Sequence, residues 1–396
     1  MKYITLIGDG MADYPLADLG NKTVLQAANT PNMDFVAATG RCGVTKTIPD
    51  EMPAGSDIAI LSILGYDPQK YYTGRGPLEA LGRGVELKSG DIAFRCNLVT
   101  VSGERLVDYS AGHISSEEAR MLIEELNERL PDVEIHAGVS YRHIFVARRD
   151  AFNGKVPKCT PPHDMLGENF HAHLPEDEML KQLILKSKEI LEAHEVNKKR
   201  ERHGKRKANM IWLWGGGVRP ELPSFEEKYG VSGSVISAVD LIRGIGRALG
   251  LDVVEVPGVT GYLDTNYEGK AEYALRSLQR RDFVLVHVEA PDEAAHEGDV
   301  AAKIVAIENF DEKVVGNVLA GLPNLGTARI LLMPDHYTPV SVRTHTREPV
   351  PFAIAELPSG GKSDAVKNFD EFSARNGALG EIPVEKLMKV LINEGL

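Results

Sequence analysis

Short apolar runs, each ending in a loop with Asp, Gly or Pro, recur along the chain: YITLIGD from residue 3, ANMIWLWGGG from 208, FVLVHVEAPD from 283, RILLMPDH from 329 and VPFAIAEL from 350. Near-continuous apolar runs of this length predict strands buried on both faces, as in a mostly parallel sheet. Helical spacing separates several of them. In DEMLKQLILKSKEILEAHE, from 177, Leu180, Leu183, Ile184, Ile190 and Leu191 recur at helical intervals with polar residues between. A second helix is predicted after Ser234, through SVISAVDLIRGIGRALG, ending at Gly250. Alternating strands and helices predict an α/β sandwich.

The stretch from 90 to 175 has another rhythm. DIAFRCNLVTVSG, a helical SSEEARMLIEELNERL and then VEIHAGVSYRHIFVARRD read as strand or hairpin, helix, strand, strand, before the Pro-rich CTPPHD. That order predicts a small α+β cap at 90–175, inserted into a discontinuous core domain at 1–89 and 176–396.

Composition narrows the class. A length of 396 residues exceeds one ordinary core, which agrees with two domains. No apolar run approaches the roughly 18 residues of a membrane span, and the first apolar stretch reaches Asp9 too soon for a secretory leader. Cys42, Cys96 and Cys159 are far apart with no CxxC pair, which fits a reducing, cytoplasmic setting and core packing. A net charge of -12 argues against nucleic acid as a partner. The one basic run, KKRERHGKRK at 198–207, has no interleaved aromatic residue and reads as a solvated helix end and loop.

Candidate chemistry falls at strand ends, where parallel α/β sheets form their sites. Asp9 ends the first run, Asp292 and His296 come after the run from 283, Asp335 and His336 come after RILLMP, and His345 precedes the last run. A single such residue is more often a helix cap or a satisfied histidine. Six together are harder to dismiss. Asp292 and His296 are four apart, which places both on one face if the segment is helical and lets them share one ion. Mixed Asp/His ligation suits Mn, Zn or Fe. Ser56, in MPAGSDIAILSILGYDP, opens an apolar helical stretch. It is either an N-cap or a nucleophile whose phosphoester would sit at a helix N-terminus.

GDGMAD at 8, PAGSDIAILSILGYDP at 53, YYTGRGPLEA at 71, FRCNLVT at 94, DYSAGHIS at 108, APDEAAHEGD at 290, PDHYTP at 334 and THTREPVPF at 344 resemble the archaeal-type, 2,3-bisphosphoglycerate-independent phosphoglycerate mutases of the alkaline phosphatase superfamily. The resemblance spans nearly the whole chain. It implies an alkaline-phosphatase-like sandwich and two divalent ions, Mn foremost with Zn, Mg or Co as alternatives, and no bisphosphoglycerate. Asp9, Ser56, Asp335 and His336 are then expected to hold one ion, and Asp292, His296 and His345 the other.

The implied reaction moves a phosphoryl group between O3 and O2 of glycerate through phosphoserine at Ser56, the cap closing over the site to keep glycerate in and water out. At motif positions, Arg75, Arg95, Arg142 and Arg243 are candidates for binding the anionic metabolite, and His113 is a candidate acid and base. A homoserine kinase-like phosphotransferase of the same superfamily is the alternative. Against it, LPSGGKSDA at 357 has Glu356 where a P-loop needs Gly, and GIGRALG at 244 has Leu249 where a dinucleotide motif needs its third Gly and is expected to have no strand before it.

Overall fold

A computed structural model describes residues 1–130, 134–148, 152, 155–358, 363–364 and 366–393. Most of SGGKS in the discounted P-loop stretch lies outside the described residues, as do the ends of the VEIHAGVSYRHIFVARRD run. The chain divides into two compact units, one of residues 1–72 and 222–396 and the other of residues 73–221. Along the chain, β1 (Lys2–Gly8) and β2 (Arg41–Thr45) precede β3 (Ile92–Ser102), β4 (Arg105–Asp108), β5 (Glu134–His136), β6 (Arg142–Ala147) and β7 (Met210–Val218). Then come β8 (Gly233–Ile236), β9 (Asp252–Val253), β10 (Phe283–Val288), β11 (Ala328–Met333), β12 (Val350–Leu357) and β13 (Gly380–Glu381). No helix among the described residues is long and apolar enough to cross a membrane.

The first unit holds an eight-stranded sheet in the order β13-β2-β12-β11-β1-β10-β8-β9. β1 runs parallel to both β10 and β11, with Tyr3 beside Phe283 and Arg329, while β12 is antiparallel to β11 and β2. The expected α/β architecture with a mostly parallel sheet is present. Both faces of the central strands are covered: Ile4, Leu6, Leu285, Val286, Leu331 and Leu332 are all fully buried. The helix expected from Ser234 begins later. Residues 233–236 pair with β10 as β8, and the helix is Asp240–Ala248. A strand therefore does precede the GIGRALG segment, and only Leu249 excludes the dinucleotide motif. A short β-branched run such as SVI has no periodicity that separates strand from helix.

The second unit has its own five-stranded sheet. β3 is its centre, antiparallel to β4, β6 and β7, with β5 beside β6. The apolar run from 208 therefore belongs to this sheet as β7 and not to the mostly parallel one. An apolar central strand looks alike in either setting. Its pairing also draws in the flanks, so the unit spans 73–221 where the rhythm of the sequence marked 90–175. Leu180, Leu183, Ile184 and Leu191 of helix Glu178–Glu192 join Phe94, Leu98, Ile211 and Trp212 in one core. Ala80, from helix Arg75–Gly82, packs with Ala93 and Ile144.

The basic run is not simply solvated. Arg200 is buried in helix Glu195–Arg202, pairs with Glu118, and donates to the carbonyls of Ala111 at 2.7 Å and Arg206 at 2.8 Å. Arg206 pairs with Asp108 at 2.6 Å. Cys42 and Cys96 are buried, Cys159 is half-buried, and all three are free thiols.

Candidate active site

Because β1, β10 and β11 are adjacent and parallel, the residues just beyond them arrive together at one edge of the sheet. Asp9 lies just past β1, and Asp335 with His336 just past β11. Asp292 and His296 lie in helix Ala290–Glu297, which starts just beyond β10, and the loop before β12 adds His345. Among the described residues three overlapping groups result: Asp292 with His296 and His345, Asp9 with Asp292 and His336, and Asp9 with His287 and Asp335. Close packing has selected a glycine between them. Gly10 has φ +60, and a Cβ there would lie 2.5 Å from Thr338 Oγ1 and 2.6 Å from Asp292 Oδ1.

The histidine tautomers are set by their outer partners. His296 Nδ1 lies 3.0 Å from the Arg343 carbonyl and His345 Nδ1 lies 3.3 Å from the Ala54 carbonyl. A carbonyl only accepts, so each neutral ring carries its proton on Nδ1 and leaves Nε2 bare. The two Nε2 atoms are 3.0 Å apart, and they face Asp292 Oδ2 at 3.1 Å and Asp292 Oδ1 at 3.4 Å. Lone pairs converging in this way require a cation. Without a metal, protons serve, and the Asp292 carboxylate holds His296 up to about 9. Anchoring of the outer nitrogen by an acceptor is how proteins orient metal-binding imidazoles.

His336 is set by a longer chain of hydrogen bonds. The Thr338 hydroxyl donates to Asp292 Oδ1 at 2.5 Å and lies 3.1 Å from His336 Nδ1. Its proton being committed to Asp292, the hydroxyl accepts from Nδ1, and Nε2 again is bare. That Nε2 lies 3.1 Å from Ser56 Oγ. Burial lowers His336 to about 4, so the ring is neutral near pH 7 and accepts from the serine hydroxyl. Ser56 is the first residue of helix Ser56–Ile63, with Gly55 at the cap, so its side chain is not spent on capping. A serine hydroxyl thus stands at the start of a helix, where the helix dipole favours an anion.

Asp9, Asp292 and Asp335 crowd three carboxylates into a buried space. Burial, then Asp335 and Asp292, push the Asp9 carboxyl well above its ordinary value. Asp9 Oδ1, Asp335 Oδ2 and His287 Nε2 are buried with no hydrogen-bond partner among the described residues. The cluster therefore fits divalent ions: excess negative charge, unpaired oxygens, and imidazoles aimed inward from fixed outer partners. His287, on β10 itself, is not among the residues that the sequence singles out.

Nor is the support beneath the site. Lys303 is fully buried and donates to Asp13 Oδ2 at 2.8 Å, the Thr338 carbonyl at 2.9 Å and the Ala12 carbonyl at 3.3 Å. It ties the loop after β1 to the loop after β11. Asp13 also accepts from the Val340 amide, and Glu371 accepts from the Asp13 amide at 2.9 Å and the Thr23 hydroxyl at 2.7 Å.

The second unit contains three of the four candidate arginines. Arg95, on β3, pairs with Glu79 at 3.1 Å and stacks over Trp214 at 4.1 Å. Burial holds its guanidinium below the ordinary value, against Glu79, and the nearby charges of Arg75 and Arg142 lower it further. Arg142 lies over the Tyr141 ring at 5.7 Å, and His113 meets the same ring edge-on at 6.1 Å. His113 stands in a left-handed turn: Ala111, Gly112 and His113 have φ of 50, 62 and 48. Asp108, accepting from Ser110 and Gly112, and Arg200, bonded to the Ala111 carbonyl, hold that turn. Arg243 is elsewhere, in helix Asp240–Ala248 of the first unit, where it pairs with Glu255 and approaches Asp240 at 4.0 Å.

Comparison with known proteins places the chain in a family. Residues 37–197 match the family model of the 2,3-bisphosphoglycerate-independent phosphoglycerate mutases. A protein of that name from Methanosarcina acetivorans is 52% identical over 398 residues, covering 99% of this chain and 100% of the relative. A probable one from Geobacter sulfurreducens is 49% identical over 405 residues, covering 99% and 100%. Among solved structures, a Pyrococcus horikoshii protein superposes with a TM-score of 0.85 at 33% identity, covering 99% of this chain and 97% of the other. The cofactor-independent phosphoglycerate mutase of Thermoplasma acidophilum superposes with 0.68 at 30% identity, covering 100% of both. The chain belongs to the 2,3-bisphosphoglycerate-independent phosphoglycerate mutase family.

Proposed function

We propose that this chain interconverts 3-phosphoglycerate and 2-phosphoglycerate without bisphosphoglycerate, passing the phosphoryl group through Ser56. The observation that carries the reading is the bare Nε2 of His336, 3.1 Å from Ser56 Oγ, beside three carboxylates that need cations. Names carried by relatives of about half-identical sequence over their full length support the same reaction. Asp292, His296 and His345 would hold one divalent ion, and Asp9, Ser56, Asp335 and His336 the other. Mn is the metal we favour, with Zn, Mg or Co as alternatives. Bound there, such ions neutralise phosphoryl charge and lower the pKa of the serine hydroxyl.

The protein's own part begins with Ser56 Oγ, which gives up its proton and attacks phosphorus while the bond to O3 of glycerate breaks and that oxygen takes a proton. In the second half, the 2-hydroxyl attacks the phosphoserine, losing its proton, and Ser56 is regenerated. Helix N–H groups at residue 56 stabilise the phosphoester between the halves. The second unit is proposed to retain glycerate. Arg75, Arg95 and Arg142 suit a carboxylate, and His113 suits proton exchange with the two hydroxyls. Arg243, being paired with Glu255, is a weaker candidate for direct substrate contact. A small phosphorylated metabolite as substrate and a cytoplasmic setting complete the reading.

The test is purified protein with Mn and 3-phosphoglycerate, without ATP or bisphosphoglycerate, coupled to enolase. Turnover supports the mutase, whereas turnover that appears only with ATP and homoserine would replace it with the kinase.

A further inference from the structure

β10 is apolar until it reaches His287, and Glu289 stands two residues on, so both fall on one face of the extended chain. They are 0% and 2% exposed. His287 Nδ1 lies 3.2 Å from Glu289 Oε1, which also accepts from the Ser237 hydroxyl at 2.6 Å and the Ala238 amide at 2.9 Å. Lys270, itself fully buried, donates to Glu289 Oε2 at 2.8 Å and to the His287 carbonyl at 2.7 Å. The carboxylate is thus ionised and immobile, and it can only accept. The Nδ1 of His287 must carry the proton.

The other side of the ring has no hydrogen-bond partner among the described residues. Nε2 faces Asp9 Oδ2 at 3.4 Å and Asp335 Oδ2 at 3.9 Å. Both separations exceed the roughly 2.7–2.9 Å of a charged N–H···O bond, so an imidazolium clasping the two carboxylates is not what the geometry describes. Asp9 Oδ1 and Asp335 Oδ2 equally lack a hydrogen-bond partner among the described residues. The other three histidines of the site have the same design, an outer nitrogen fixed by an acceptor and an inner one aimed at a carboxylate.

We infer that His287 is a further metal ligand, binding through Nε2 the ion held by Asp9 and Asp335, with Glu289 and Lys270 as positioning residues behind it. The inference rests on the metal reading above. It explains why an ammonium and a carboxylate, neither able to reach a substrate, are buried together behind a core strand, an arrangement that costs desolvation and is retained where it fixes an orientation.

Divalent-metal binding to the full-length protein tests it, with calorimetric titration by Mn and elemental analysis after desalting. Wild type should hold two ions. His287→Gln should weaken one of them by at least about tenfold, the scale of lost orienting or ligating groups, and leave the ion of Asp292, His296 and His345 at wild-type affinity. Should His287→Gln fail to fold, the double variant Lys270→Met/Glu289→Gln, which strands no buried charge, should weaken the same ion about tenfold with unchanged circular dichroism. Two ions at wild-type affinities in a folded variant would overturn the role of His287 while leaving the metal centre standing. A wild type that binds no divalent ion would overturn both.

Discussion

The two units hold their candidate functional side chains in different settings. In the first, Asp9, Asp292, Asp335 and His336 are buried, and each histidine of the site has an outer partner that fixes its ring. In the second, Arg142 and His113 are exposed and Arg75 is half-buried, with Arg142 resting on Tyr141, while the Arg95 side chain is largely buried between Glu79 and Trp214. A parallel sheet brings remote residues to one edge and buries them, which creates unpaired charge and hence a demand for ions. In the second unit the exposed Arg142 and His113 stay hydrated and accessible to an anion. The first arrangement suits chemistry, the second recognition.

The comparison breaks most decisively at Ser56. Ser56→Ala should lower turnover by at least about a thousandfold, about 4 kcal/mol of transition-state stabilisation, while metal content and fold persist. Activity within about tenfold of wild type would make the serine a bystander. Next in size is ion loss. His296→Ala and His345→Ala should each lose one ion, and His336→Ala the other, because the first pair shares Asp292 alone whereas His336 also faces Asp9 at 3.4 Å. Equal ion counts in all three variants would mean that the clusters do not act separately.

Stability should divide the units in the same way. Lys303→Met strands the buried Asp13 carboxylate and should cost about 3–5 kcal/mol in urea unfolding. Arg142→Ala should stay within about 0.5 kcal/mol. If both cost the same, the contrast between buried and displayed charge fails. Glu371 adds a pH signature. Burial raises its carboxyl to about 7, above its unfolded value, so its contribution is complete below about pH 4.5 and is lost as pH rises through 7. From pH 5 to 8, wild type should therefore lose up to roughly 3 kcal/mol relative to Glu371→Gln. A difference that does not change with pH would show Glu371 to be ionised throughout.

The smallest effect belongs to the second unit. His113→Ala or Arg142→Ala should shift products from 2-phosphoglycerate toward inorganic phosphate by about tenfold, about 1.4 kcal/mol in competing barriers. Phosphate and 2-phosphoglycerate are measured in one reaction. An unchanged ratio in both variants would remove these side chains from glycerate retention.

Much of the first unit is legible in the sequence because parallel strands end in loops that must carry polar residues. Asp9, Asp292, Asp335 and His336 stand out once the loop after each apolar run is read for acids and histidines. The polar residues inside the runs are harder to see. His287 and Glu289 interrupt FVLVHVEA at strand spacing, the mark of a polar face within a buried strand, but two residues are too few to set that face apart from a run apolar on both sides. Lys303 is equally visible in VAAKIVAIEN, a lone cation among apolar neighbours, and only the fold reveals Asp13 as its partner. In the second unit, β7 cannot be assigned to its sheet from sequence, because pairing with β3 is a long-range choice that a central apolar strand does not encode locally. The basic run misleads for a related reason: burial of Arg200 depends on Glu118 and on the turn at Ala111, both remote in sequence.

The central claim is that the phosphoryl group rests on Ser56 between two half-reactions. Rapid acid quench of Mn-loaded protein during turnover of 3-phosphoglycerate, with peptide mapping of the quenched protein, tests it directly. Phosphoserine at Ser56 that appears within the first turnover and disappears on chasing with unlabelled substrate is the predicted result. Continued formation of 2-phosphoglycerate with no phosphopeptide containing Ser56 at any quench time would contradict it.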